Sequence, residues 1–149
     1  MKLFDLEVIT QETVMYHDTA ESVTAPASEG EVTILAHHAP FFSKVNPGQI
    51  TVRKAGEKFE FLIGEGFIDV SSQNHVSILV DSATRVDQID MRKAEEAKQR
   101  AEELLNQKDK YSKTEIMRAE SSLKKAVLEL KVSRSRRRRP QTFSPQSRT

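Results

Sequence analysis

Cysteine and tryptophan are absent from the 149 residues, only 6% are aromatic, and neither sign of charge dominates, the formal net being +1. Without cysteine the chain can form no disulfide, no thiolate metal site and no cysteine nucleophile, and cysteine redox chemistry is excluded with them. No apolar run approaches the length of a membrane span. The opening stretch Met1–Glu7 is interrupted by Asp5 and Glu7, so it forms no signal-peptide core. A soluble, intracellular protein is expected, small enough for one domain or one domain plus an appendage.

What is present divides in two. Residues 1–86 carry 6 Lys+Arg and 12 Asp+Glu, a net of −6, whereas residues 87–149 carry 17 and 10, a net of +7. All five glycines (Gly30, Gly48, Gly56, Gly64, Gly66) lie in the first 66 residues, and neither Gly nor Pro occurs between Phe67 and Arg139. Turn formers punctuate the first part, and the second has an unbroken helix-forming composition. The boundary is placed at residues 84–88.

In the first part, apolar and polar residues alternate over Phe4–Val8, Gln49–Arg53 and Lys58–Phe61, and Val76–Val80 completes a set of short strands. Turn signals fall at Pro26–Gly30, Asn46–Gly48, Ala55–Glu57 and Ser71–Asn74 with no helical spacer between strands, which predicts an antiparallel β-sandwich over 1–86. The period then changes. Behind Asp87, a candidate N-cap, Ala94, Ala97, Ala101 and Leu104 fall at helical spacing and predict a first helix of about 20 residues. Ser112-Lys113-Thr114-Glu115 has the form of a capping box, and Ile116, Ala119, Leu123, Ala126 and Leu130 step by three and four behind it. The fold class is therefore α+β, a sandwich followed by an antiparallel α-helical hairpin over 87–131. Each buried methylene contributes about 0.8 kcal/mol, so a seam built largely from alanine holds the hairpin weakly. A differential affinity of about 5.5 kcal/mol would move such an element from 1:99 to 99:1, and the hairpin is read as mobile.

Residues 132–149 have another character: Arg134, Arg136, Arg137, Arg138, Arg139 and Arg148 with no acid, plus Pro140, Pro145 and four serines. This composition predicts a disordered basic tail, with helix formation ending by Pro140. Clustered arginine can meet anionic lipid, phosphate or nucleic acid, or can be simply a solvated tail.

Catalytic constellations are scarce. Gly64-Glu65-Gly66-Phe67-Ile68-Asp69 begins like a dinucleotide fingerprint but lacks the third glycine and the following helix, so it reads as a strand bounded by turns. No phosphate-binding loop motif occurs. His37 and His38 are adjacent, and His17 and His75 add no ligand spacing, so no metal site is expected. Glu29 and Glu31 could share a face, but as a solvated loop or interaction rim rather than an acid–base pair.

The loop residues Glu29-Gly30-Glu31-Val32-Thr33-Ile34-Leu35-Ala36-His37-His38-Ala39-Pro40, followed by Asn46-Pro47-Gly48, resemble the signature of the epsilon subunit family of F-type rotary ATP synthases. The similarity continues through Ile63–Val70, Val76–Ala83 and Asp87–Leu105, about 130 residues in order. The family pattern has Gly where this chain has Thr33, and usually Gly or Asn at His37. The resemblance implies a non-catalytic rotor subunit of the central stalk, coupling proton flow to ATP synthesis. In such subunits the sandwich clamps the gamma subunit and sits on the c-ring, and the hairpin folds down or reaches into the catalytic alpha/beta hexamer to restrain ATP hydrolysis. Carried across by position, Glu29, Glu31 and His38 are expected at the c-ring-facing end, and Lys93, Arg100, Lys124 and Lys125 would face acidic parts of the hexamer. The protein is expected to be a monomer in isolation and peripheral to the cytoplasmic face of the bacterial inner membrane, with no specific nucleic-acid partner.

Some members of that family bind ATP through an I/L-D-x-x-R-A motif. Here the stretch is Ile89-Asp90-Met91-Arg92-Lys93-Ala94, with lysine where arginine is expected. Lysine attracts phosphate as a point charge but cannot form the bidentate fork of arginine. Arg100 agrees with the family and Lys125 keeps the charge, whereas Thr84 replaces an acid and Glu129 replaces an arginine. Weak or no regulatory ATP binding is expected, and no other cofactor. Two other classes compete: a basic module binding nucleic acid or anionic lipid, against which the acidic strand-rich half argues, and a sandwich hydrolase, which would need a pocket of convergent titratable groups.

Overall fold

The computed structural model describes residues 2–138 and divides the chain into two compact units, split between Gln88 and Ile89. The first unit is built of ten strands: β1 (Phe4–Ile9), β2 (Val14–Ala20), β3 (Ser22–Ala27), β4 (Gly30–Leu35), β5 (Phe41–Val45), β6 (Gly48–Lys54), β7 (Glu57–Ile63), β8 (Gly66–Val70), β9 (His75–Val80) and β10 (Ala83–Arg85). They run in the order β10-β7-β6-β3-β5-β8-β9-β1-β2, with β4 on the other edge of β3. Only Ala27↔Val45 joins β3 to β5, so the sheet folds there into two five-stranded halves, β10-β7-β6-β3-β4 and β5-β8-β9-β1-β2.

Alternation produces the core. Leu6, Val8, Val23, Ile34, Ile50, Val52, Ile68 and Ile78 are all fully buried, each on a strand whose intervening residues turn outward. The sandwich is antiparallel except for one pair, β1 beside β9, which are parallel from Asp5↔His75 to Ile9↔Leu79. Several strands escape the sequence pattern. Pro26, expected in a turn, is inside β3 opposite Glu31. Proline lacks the N–H, but its carbonyl still accepts from Asn46 N–H at 2.8 Å, so the strand passes through it.

The second unit consists of α1 (Met91–Leu105), a 3-10 turn at Lys108–Lys110 and α2 (Lys113–Arg138). The cap of α1 is Asp90 and not Asp87. Asp90 is extended (φ −89°, ψ 105°), and its carboxylate accepts from the N–H groups of Arg92 and Lys93. Asp87 lies in a 3-10 turn, Val86–Gln88, with its carboxylate 2.8 Å from Arg85. The first helix is accordingly 15 residues long. Ser112 caps α2 as expected, its hydroxyl accepting from Glu115 N–H at 3.2 Å.

The expected disordered tail from 132 is corrected over its first seven residues, which are helical to Arg138; residues 139–149 lie outside the described residues. Ala119, Ala126 and Ser133 recur every seven residues and all three are buried, so the buried stripe of α2 does not stop at Leu130. Arginine is a good helix former, and cations are favoured at a helix C-terminus, where carbonyls lack partners.

Candidate functional site

The hairpin β3–β4 turns at Ser28–Glu29, so Glu29 and Glu31 occupy the end of the sandwich that also carries Asn46–Pro47 and Gly64–Glu65. His38 follows the far end of β4. Leu35, which pairs Ser22, is four residues beyond Glu31, about 13 Å of strand. The expected grouping of Glu29, Glu31 and His38 at one end does not form: two acids mark one end and the histidine marks the other.

The loop at the histidine end is exposed from His37 to Pro40 yet well tied. His37 has a left-handed backbone (φ 64°), its N–H donates to Asn74 Oδ1 at 2.7 Å, and His38 N–H donates to the Leu35 carbonyl at 3.2 Å. The His38 ring meets Phe41 edge-on at 6.0 Å. Pro40 then leads directly into β5.

On the outer face of β5-β8-β9-β1-β2, apolar side chains gather toward the Glu29 end. Phe42 and Phe67 are 67% and 48% exposed and stack at 5.5 Å. Phe67 pairs Leu79, Leu79 pairs Ile9, and Ile9 pairs Val14, with Leu79 and Val14 also exposed, so the apolar row crosses the half-sheet. The next row toward the His38 end, which is in register with Phe42 through Asp69, is polar. There Glu7 accepts from Ser77 Oγ at 2.8 Å and lies 3.4 Å from His75 Nε2, with His17 opposite it on β2. The Ser77 hydroxyl, foremost, holds the Glu7 carboxyl below its ordinary range against the opposing effect of burial. Serine and carboxylate both reach the same histidine nitrogen, so no Ser-His-Glu relay exists. No cluster able to hold a metal occurs among the described residues.

In the helical unit, Ala94, Ala101, Ala119 and Ala126 are buried along the seam. Beside them an open groove of about 300 Å³ has Ala97, Ala101, Leu104 and Ala119 on its floor and Arg100, Arg118, Glu115 and Ser122 on its rim. Lys93, Arg100, Lys124 and Lys125 are all exposed. Arg118 was missed as a candidate; it lies seven residues before Lys125, as Lys93 does before Arg100, and that spacing was the available signal.

Residues 3–86 match the family described as "ATP synthase, Delta/Epsilon chain, beta-sandwich domain", and residues 87–134 its companion, the "long alpha-helix domain". The chain belongs to the ATP synthase delta/epsilon family. Among similar relatives, the ATP synthase epsilon chain of Desulforamulus reducens is 37% identical over 86% of this chain and 95% of its own length. That of Herpetosiphon aurantiacus is 37% identical over 90% and 96%. A chain in the cryo-EM structure of the Euglena gracilis mitochondrial ATP synthase (OSCP/F1/c-ring) shares the fold with a TM-score of 0.67 at 23% identity, covering 81% of this chain and 75% of that one.

As a member of the delta/epsilon family the chain is a non-catalytic subunit, which replaces the hydrolase reading. No helix among the described residues is long and apolar enough to cross a membrane. The delta/epsilon pattern of Gly or Asn at His37 coincides with its left-handed backbone, which those residues adopt most readily. Thr33, in place of Gly, sits in extended β4 and hydrogen-bonds Thr24 at 2.9 Å. Gly66 is glycine for packing, because a Cβ there would collide with the Leu79 carbonyl, whereas a Cβ on Gly64 would meet only the movable Asp81 carboxylate and Ser82 hydroxyl.

Of the ATP-motif residues, Asp90 is committed to capping α1, Ala94 is buried in the seam, and Lys93 is exposed one turn in. Arg100 lies on the groove instead, seven residues or about 10 Å beyond Lys93 along α1. Glu129 is half-buried, and desolvation raises its carboxyl above the ordinary value while Lys125 opposes the shift. Glu129 thus puts a carboxyl at the position where the ATP-binding pattern implied by the resemblance has arginine.

Proposed function

We propose that the chain is the epsilon-type rotor subunit in the central stalk of a bacterial ATP synthase, peripheral to the cytoplasmic face of the membrane. Proton-driven rotation would pass through its sandwich, and its hairpin would restrain ATP hydrolysis. The carrying observation is the apolar row headed by the stacked pair Phe42 and Phe67 on a sandwich whose core is otherwise closed. Exposed aromatic side chains in a contiguous row are the usual anchors of a protein interface, and here the gamma subunit is the occupant. The loop bearing His38 runs straight into Phe41 and Phe42, so it belongs to this gamma-facing surface. Glu29 and Glu31, on the β3–β4 turn at the end of the sandwich away from His38, are left to meet the polar loops of the c-ring.

The hairpin suits a regulatory role because its seam is small-residue and its outward face presents Lys93, Arg100, Lys124 and Lys125 to the acidic parts of the alpha/beta hexamer. ATP binding by the isolated chain is weak or absent: lysine replaces arginine at 93, Asp90 is engaged as a cap, and Glu129 opposes phosphate. Co-purification tests the assignment. The tagged chain should retain gamma and c-ring, and the double variant Phe42→Ser/Phe67→Ser should weaken gamma binding at least about tenfold with an unchanged melting profile. Full retention of gamma by the folded double variant would remove the row from the interface.

A further inference from the structure

Asn74, in the turn between β8 and β9, makes three hydrogen bonds to two separate stretches of chain. Its Oδ1 accepts from His37 N–H at 2.7 Å, 37 residues away, and its Nδ2 donates to the Leu3 carbonyl at 2.8 Å, 71 residues away. Its own carbonyl accepts from Asp5 N–H at 3.2 Å. The two side-chain partners use the amide in one orientation only, acceptor toward an N–H and donor toward a carbonyl. Asn74 is itself left-handed (φ 61°), a backbone that asparagine tolerates better than most residues.

The His37–Pro40 stretch it braces is exposed, and nothing in the strand ladder holds His37. Were His37 to leave its left-handed conformation, the following residues would point elsewhere, because that single backbone angle sets the direction in which the chain leaves β4. A loop that is exposed and also fixed loses less freedom when a partner lands on it than a free loop does.

We infer that Asn74 is a positioning residue for docking: its amide bond to His37 N–H fixes the direction of the loop and so presents His38 and Pro40, in continuity with Phe42, to the gamma subunit. The inference rests on the gamma-facing assignment of that surface. Asn74 does not itself touch the partner in this account; it acts through His37.

The test compares Asn74→Gly, which keeps the left-handed backbone and removes both side-chain bonds, with Asn74→Asp, which keeps the acceptor for His37 N–H. Each full-length variant is measured for amide exchange at His37 and for dissociation from the purified gamma–epsilon complex, beside His38→Ala and Phe42→Ser. Asn74→Gly should speed His37 exchange and dissociation about tenfold each, and Asn74→Asp should restore most of both. Faster exchange with unchanged dissociation in Asn74→Gly, while His38→Ala or Phe42→Ser weakens binding, would reduce Asn74 to a structural brace and overturn the inference. Unchanged His37 exchange in Asn74→Gly would overturn it equally. If neither His38→Ala nor Phe42→Ser alters dissociation, the docking assignment fails first and the inference with it. Should Asn74→Gly not fold, slow dissociation in Asn74→Asp with a protected His37 supports the inference, and fast dissociation with that protection intact sinks it.

Discussion

Glu7 shows how a single surface carboxylate ties pH to stability. It sits between Ser77 and His75 on β9 and His17 on β2, and the Ser77 hydroxyl is the foremost of the groups that depress its pKa. The unfolded carboxyl titrates near 4.5. With the folded value below that, the ionised group stabilises the sandwich above pH 4.5, and the contribution disappears as pH falls through the folded value. Ser77→Ala should raise the Glu7 pKa and cost about 1 kcal/mol at pH 7, with the difference from wild type vanishing in acid. Urea unfolding between pH 2 and 7 reads it, and a Ser77→Ala penalty as large in acid as at neutrality would show that the hydrogen bond is not the cause. Glu129 carries the opposite sign. Its raised pKa means that ionisation works against the folded state, so its unfavourable effect grows as pH climbs and is absent in acid.

Among the elements, α1 and α2 depend on how closely two backbones approach. Ala94 and Ala101 on α1, and Ala119 and Ala126 on α2, are all buried, and such a seam has room for methyl groups and little else. Ala126→Leu should therefore push the helices apart and cost about 1–3 kcal/mol of hairpin stability, with amide exchange rising along α1 and α2 and unchanged in β6 and β9. An unaffected hairpin would mean that the seam is looser than the burial of its alanines implies. The same seam explains what could and could not be seen beforehand. Strands with clean alternation, such as Phe4–Ile9 and His75–Val80, and the stepped alanines of both helices were legible, because one buried face leaves a period in the sequence. Strand β3 was hidden by Pro26, and β2 by an outer edge on which few residues are buried. The arginines after Leu130 looked like a disordered composition, yet Ser133 keeps the seven-residue step of Ala119 and Ala126 and the helix continues. Family position brought Glu31 and His38 together on paper, whereas the strand between them separates their ends. Asn74 left no signal of its own, since its partners Leu3 and His37 are distant in sequence and only the sheet brings them near.

For the molecule as a whole, the decisive contrast is between two kinds of core. The sandwich buries large aliphatic and aromatic side chains, Phe4, Phe61, Leu6, Ile34, Ile50, Ile68 and Ile78 among them, whereas the helical unit relies on Ala94, Ala101, Ala119, Ala126 and Leu130. A fully buried Leu or Ile contributes roughly 1.5–3 kcal/mol and an alanine methyl about 0.8, so the two units cannot be equally stable. The chain divides between Gln88 and Ile89 into two compact units, each with its own core, and units of unequal stability open separately. Heating the full chain should therefore give two transitions. Helical ellipticity at 222 nm is lost first while amides of Ile50 and Ile78 stay protected, and the sandwich melts later. Residues 1–88 expressed alone should keep the later transition and, on the proposed function, still bind gamma, and the enzyme assembled with them should hydrolyse ATP without the restraint proposed for the hairpin. One concerted transition in the full chain, with Ala126 and Ile78 exchanging at the same rate, would show that the helices share the stability of the sandwich, and the loosely held regulatory element would have no physical basis.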